Sequence, residues 1–342
     1  MSDASSFMKL AISAAVLALT LGGTAAQSEP LQVRVGYSSM PAHLIPTFYE
    51  AKDALKHEGT SYTVEAIRFN GSTPQLTALA AGEIDMAALS PTALALGVAN
   101  ASLDVKVVAD IIQDGMPGHY SQTIYVKTDS GIEKPEDLKG KVVAVNQVGS
   151  AVDMALRAMA AKVGLDPATD MRVIEASFAN VLPMLEDDKI DAGAIQQPMA
   201  SRLVKEGKYK ALFSSADAIG PTEFVFLVAR SEFLENHPDQ VKDFFEDHVR
   251  GFRWITDPAN RDKALPIIAE ASVRPVEQMD YLFSEIDYYR DPFLFPNIEG
   301  LQRAIDVAAE LGVIPQTLKV SPDYVDTSFV EEAKRRIEAD GE

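Results

Sequence analysis

The stretch GSTPQLTALAAGEIDMAALSPT, residues 71–92, decides how this chain is read. Ser72 and Thr73 offer side-chain oxygens to cap a helix start, and Pro74 suits a first helical turn, where its missing N–H is no loss. Leu76, Leu79 and Ala80 recur at helical spacing, and Gly82 supplies a stop. Residues 84–89 form a short apolar run of strand length. Ser90-Pro91-Thr92 then repeats the cap-plus-proline opening. Helix start, helix, strand and helix start together set two groups of unpaired backbone N–H beside a sheet, an arrangement that suits an anion.

The same design recurs downstream. Leu182, Leu185, Ile190 and Asp191 match Leu76, Leu79, Ile84 and Asp85 at a constant offset of 106 residues, and Pro198 answers Pro91 at 107. VLPMLEDDKIDAGAIQQPMA is thus a second helix–strand–helix unit. Two such units in register predict two similar α/β lobes with a cleft between them.

The chain has 342 residues, enough for two domains with their own cores. The absence of cysteine removes disulfides, thiolate catalysis and Cys-ligated metal sites. At the N-terminus, Lys9 precedes an apolar run at 10–21 and the small residues Gly22 to Ala26, which reads as a secretory signal cleaved after Ala26, with Met8 as a second possible start. That run of 12 residues falls short of the about 20 needed to span a bilayer. With no cysteine to carry a lipid, the expected product is a soluble, monomeric periplasmic protein. A net charge of −19 argues against nucleic acid and anionic membranes as partners. An anionic ligand would then depend on short-range local donors, which oriented helix starts provide.

Along the chain, strands are expected at 31–37, 62–69, 105–112, 123–127, 141–146, 171–175, 209–213 and 223–230. Helices are expected at 45–57 and 151–163, with a loop at 177–180. After 231 the pattern turns helical, with helices at 238–255, 261–271, 275–288, 298–311 and 328–339. Strands and helices alternate early and helices gather late, so the fold class is α/β with a helical C-terminal layer.

Catalytic motifs are missing. The five histidines form no metal-binding spacing, and no GxSxG, Walker or GxGxxG motif occurs. No catalytic residue, metal or cofactor is expected, although His119 beside Tyr120 is the best functional histidine. Three helix starts offer both hydroxyls and free N–H groups: Ser72-Thr73-Pro74, Ser90-Pro91-Thr92 and Gly149-Ser150-Ala151. All follow strands or strand-end loops, where open α/β sheets bind ligands.

These residues carry a resemblance. GSTPQLTALAAGEIDMAALSPTALA, EKPEDLKGKVVAVNQVGSAVDMALRAMAAKVGL, IDAGAIQQP, FLENHPDQVKDF and the late LGVIP, in that order, resemble periplasmic solute-binding proteins of ABC importers for sulfonates, taurine and nitrate, a family that includes thiamine-precursor binders. The resemblance implies a type II two-lobed fold, with lobe 1 at 30–126 plus 227–342 and lobe 2 at 127–226. Strands 123–127 and 223–230 would cross between them. It implies a small organic anion held by Gly71, Ser72, Thr73, Ser90, Pro91, Thr92, Gly149 and Ser150, with Tyr37, Ser38 and Ser39 as a wall, and delivery to a membrane permease. Relatives commonly carry Trp-acid-Pro-Tyr where this chain has Gln196-Gln197-Pro198-Met199. Glutamines give neutral hydrogen bonds, so with Tyr37, Tyr120, Phe178 and Met199 as walls an uncharged or aromatic tail is expected in preference to the amine of taurine. An enzyme on the same scaffold, resembling thiamine-pyrimidine synthases, is disfavoured by the lack of cysteine; a receptor-docking ligand sensor is the third alternative.

Overall fold

The computed structural model describes residues 29–101 and 103–341. The expected leader, residues 1–26, lies outside them. In chain order the described residues form β1 (Leu31–Tyr37), α1 (Ile45–Phe48), β2 (Tyr62–Arg68), α2 (Ser72–Ala80), β3 (Met86–Leu89), α3 (Pro91–Ala101) and β4 (Val105–Asp114). Then come β5 (Thr123–Lys127), β6 (Val142–Val145), α4 (Ala151–Lys162), β7 (Arg172–Glu175), α5 (Phe178–Glu186), β8 (Ala192–Ala194), α6 (Met199–Lys205) and β9 (Tyr209–Ser214). The last part is α7 (Ser215–Ala218), β10 (Thr222–Arg230), α8 (Ser231–Asn236), α9 (Pro238–Thr256), α10 (Arg261–Ser272), α11 (Ile298–Glu310) and α12 (Ser328–Ala339).

Two five-stranded sheets result, ordered β2-β1-β3-β10-β4 and β7-β6-β8-β5-β9. The orders are equivalent position by position. In each, the fourth strand runs antiparallel to its neighbours, β10 in the first sheet and β5 in the second. The strands are apolar on both faces because helices cover both. Met86 and Ala88 of β3 enter one core, with α9, α10 and α12, while Ala87 and Leu89 enter another, with α2, α3 and α11. The helical C-terminal layer therefore belongs to the first lobe.

The internal repeat is physical. Asp85 donates its N–H to the Arg34 carbonyl and accepts the Arg34 N–H on its carboxylate at 3.0 Å. Asp191 does the same with Val142, accepting its N–H at 2.8 Å. Each aspartate thus clasps the strand beside its own, before β3 and β8 pair with β1 and β6.

Three expectations change. The strands expected to cross each lie within one sheet, and the chain instead passes between sheets at residues 115–122 and returns at 215–221. We propose that the lobe boundaries fall in these two segments. The helix expected at 45–57 ends at Phe48. Beyond it, the N–H groups of Lys56, His57 and Glu58 are captured by the buried carboxylate of Asp247 on α9, which a continuing helix could not allow. The helix expected at 275–288 is only a short 3-10 turn, Val276–Gln278. There Arg261 binds the carbonyls of Asp280 and Leu282, and Phe283 takes a positive φ.

Candidate functional site

Four helix starts meet where the two sheets face each other, and they differ in how their first N–H groups are satisfied. α4 is capped as expected, since Ser150 Oγ accepts from the Asp153 N–H. Ser90 Oγ lies 3.4 Å from the Ala93 N–H in the first turn of α3. α2 and α5 have no side-chain cap. Ser72, expected to cap α2, accepts the Ser90 N–H at 3.1 Å instead, and the N-cap position falls to Gly71. The segment 177–180, expected as a loop, opens α5. α2 and α5 are the same helix in the two repeats, nine residues each and 106 apart.

These starts surround a cavity of about 60 Å3. Of the expected residues, Ser38, Ser39, Gly71, Ser72, Ser90, Ser150, Phe178 and Gln196 line it. The others do not. Tyr37 packs on the first core and Thr73 is exposed on the outer side of the α2 turn. Pro91 and Thr92 face a small neighbouring void, and Tyr120 and Gln197 line a separate hollow. Gln197 turns back to accept the Ser201 N–H, because the first turn of α6 needs an acceptor more than the cleft does. Gly149 serves as a latch: its carbonyl accepts from the Thr92 hydroxyl of the other lobe. Ser39 Oγ and Gln196 Nε2, 3.3 Å apart, make a second interlobe contact, so the cleft is closed.

Sequence reasoning missed His43, Gln122, Asn146 and Tyr288, which also line the cavity. Gln122 lies in the segment between sheets. Its Oε1 accepts from the Tyr288 hydroxyl at 2.7 Å, and its buried Nε2 has no partner among the described residues. Asn146 Oδ1 accepts from Ser150 Oγ at 2.8 Å. His43 is buried, and burial together with the Arg290 charge pushes its pKa down to about 3. The neutral ring accepts the Ser38 N–H on Nδ1, which leaves the proton on Nε2 facing Ser38 Oγ. No Lys, Arg, Asp or Glu side chain lines the cavity among the described residues, and no metal-binding cluster occurs among them.

The segments between the sheets are tied together by Asp114. Its carboxylate accepts from the Gln122 N–H at 2.8 Å and from the Ser121 hydroxyl, which in turn accepts the Ala216 N–H. Burial pushes the Asp114 pKa up to about 7, and does the same to Asp110 on β4. A carboxyl raised in the folded state contributes stability that is complete below its unfolded value and is lost as pH rises through about 7. Asp85 and Glu246, lowered by arginine contacts that outweigh burial, have already gained theirs above the ordinary carboxylate range. His43 and His248, whose pKa values burial pushes down to about 3, gain stability as pH rises to about 6.5 and so oppose the aspartates below it. The melting temperature should therefore fall mainly between about pH 6.5 and about pH 8. Asp114→Asn should flatten that slope, as a pH series of thermal melts would read.

The two-lobed fold has known counterparts. An aliphatic sulfonates-binding protein of Bacillus subtilis, itself a provisional assignment, is 24% identical over 85% of this chain and 84% of its own length. The taurine-binding periplasmic protein of Escherichia coli is 26% identical over 92% of this chain and 98% of its own. Among solved structures, the alkanesulfonate-binding protein SsuA of Xanthomonas axonopodis pv. citri, bound to MOPS, superposes with a TM-score of 0.67 at 21% identity, covering 86% of this chain and 98% of that one. The fold is that of two-lobed periplasmic binding proteins. No helix among the described residues is long and apolar enough to cross a membrane. Residues 26–269 match the model of the NMT1-like family, a span that contains the whole cleft except Tyr288, and the chain belongs to that family.

Proposed function

We propose that this protein is the periplasmic solute-binding component of an ABC importer, capturing a small organic anion in the interlobe cleft and presenting it to a membrane permease. The observation that carries the reading is the pair of uncapped helix starts, α2 from one lobe and α5 from the other, on one closed cavity. First-turn N–H groups without a side-chain cap, together with the partial positive charge of a helix start, favour an anion. Because donors come from both lobes, only the closed form makes the full set of contacts, so binding favours closure. The sulfonate and taurine names of the relatives support this class of ligand. Ser38, Ser39, Gly71, Ser72, Ser90, Ser150 and Gln196 are assigned to the anion's surroundings, with Gln122 and Asn146 added and Phe178 as an apolar wall.

Neutral donors hold the head, and nothing acidic lines the cavity to pair with an ammonium. A sulfonate or carboxylate with an uncharged tail is therefore favoured over taurine. Thermal-shift titration of the secreted form with a short alkanesulfonate, benzenesulfonate, nitrate, a thiamine precursor and taurine tests this. A true ligand at 100 times its dissociation constant should stabilise the protein by about 2.7 kcal/mol. Taurine should fall well short of the matching alkanesulfonate. Stabilisation by none of the anions, or by taurine alone, would overturn the assignment, and chemical turnover of a bound anion would favour the enzyme alternative.

A further inference from the structure

Apart from the cleft, a groove of about 740 Å3 lies at the C-terminal end of α9, walled by Arg253, Trp254, Phe283, Tyr289, Phe293 and His119. Its size is that of a small-molecule site. The cations along it are not equivalent. Arg250 is held by Glu246 and Asp340, and Arg290 by Asp287. Arg253 makes no side-chain hydrogen bond or ion pair among the described residues; its guanidinium carbon rests 4.5 Å from the centre of the Phe293 ring. Lys334 approaches the same ring at 5.0 Å but is turned toward Glu338.

In a chain of net charge −19, a half-buried arginine with no acidic partner is unusual. Its place in the last turn of α9 accounts for part of it, since a cation there meets the negative end of the helix. That explanation leaves unexplained the aromatic-walled hollow in front of it. Asp257, the carboxylate on the groove, is exposed and makes its bond to the Ala259 N–H instead.

We propose that this groove is a second binding site, for a small aromatic monoanion such as an aryl carboxylate. The acid group would meet Arg253, and the ring would lie among Trp254, Phe283 and Phe293, where aromatic edges and faces pack against one another. The proposal does not rest on the reading of the cleft, although Tyr288 lines both hollows.

Trp254 is the only tryptophan of the chain, so its emission reports the groove directly. The probe is phenylacetate, titrated into the full secreted protein, with phenethylammonium as the cationic counterpart. A saturable change in Trp254 emission is expected with phenylacetate alone. Arg253→Ala should weaken it about tenfold or more, and Arg253→Lys, which keeps the charge, should weaken it less. Gly71→Ala, which disturbs only the cleft, should leave it in place. Should Arg253→Ala fail to fold, Arg253→Gln and Phe293→Leu make the same comparison. The proposal is overturned by no saturable change, by an equal response to phenethylammonium, by a response that survives loss of the arginine, or by one that Gly71→Ala removes.

Discussion

Gly71→Ala should lose ligand-induced stabilisation, with affinity for the cleft anion falling about tenfold or more. Gly71 has φ 102° and ψ −175°, a region that residues with a Cβ essentially do not occupy. An alanine there costs about 1–3 kcal/mol or rotates out of the conformation, and rotation moves the uncapped start of α2 away from the ligand. A second effect is present but weaker. The added Cβ would lie 2.5 Å from Gln147 Oε1 of the other lobe, yet that atom ends a flexible side chain and can swing aside. The backbone decides. Adding Gln147→Ala should therefore leave most of the defect, read by calorimetric titration; full recovery would mean that interlobe crowding, and not the helix start, was the cause.

Asp85→Ala should destabilise the protein by about 3 kcal/mol, and Asp191→Ala by about 1 kcal/mol. Both aspartates clasp the neighbouring strand through one backbone N–H, but their surroundings differ. Asp85 is buried and also holds Arg34 at 2.7 Å and Arg230 at 2.9 Å. Asp191 is more open, with Lys141 at 3.7 Å. The Asp85 value sits at the low end for a broken buried pair because both arginines reach solvent. Urea midpoints of the two variants provide the comparison, and equal shifts would show that the arginines contribute nothing.

The repeat was legible because its residues do the same local work twice. Leu79 and Leu185 are fully buried, and Ile84 and Ile190 nearly so. Carried one step further, the 106-residue offset maps Gly71 onto Ser177 and predicts a helix from 178, which the Ser-Phe-Ala-Asn composition concealed. Other features had no local signal. Nothing near residues 49–58 announces that Asp247, far along the chain, will take three of their N–H groups. Ser72 looks like a cap until Ser90 is folded beside it. Gln122 and Tyr288 reach the cavity through a hydrogen bond spanning 166 positions, and the polarity of a glutamine in a connecting segment does not distinguish it from a solvated one.

The equivalent sheet orders carry unequal histories. The second sheet is complete within one continuous run, residues 123–214, whereas the first needs β10 to fill the place between β3 and β4. A chain emerging N-terminus first therefore has two open strand edges in its leading half until residue 230 arrives, while its middle can already close. The sheet that begins later along the chain can therefore close before the one that begins first.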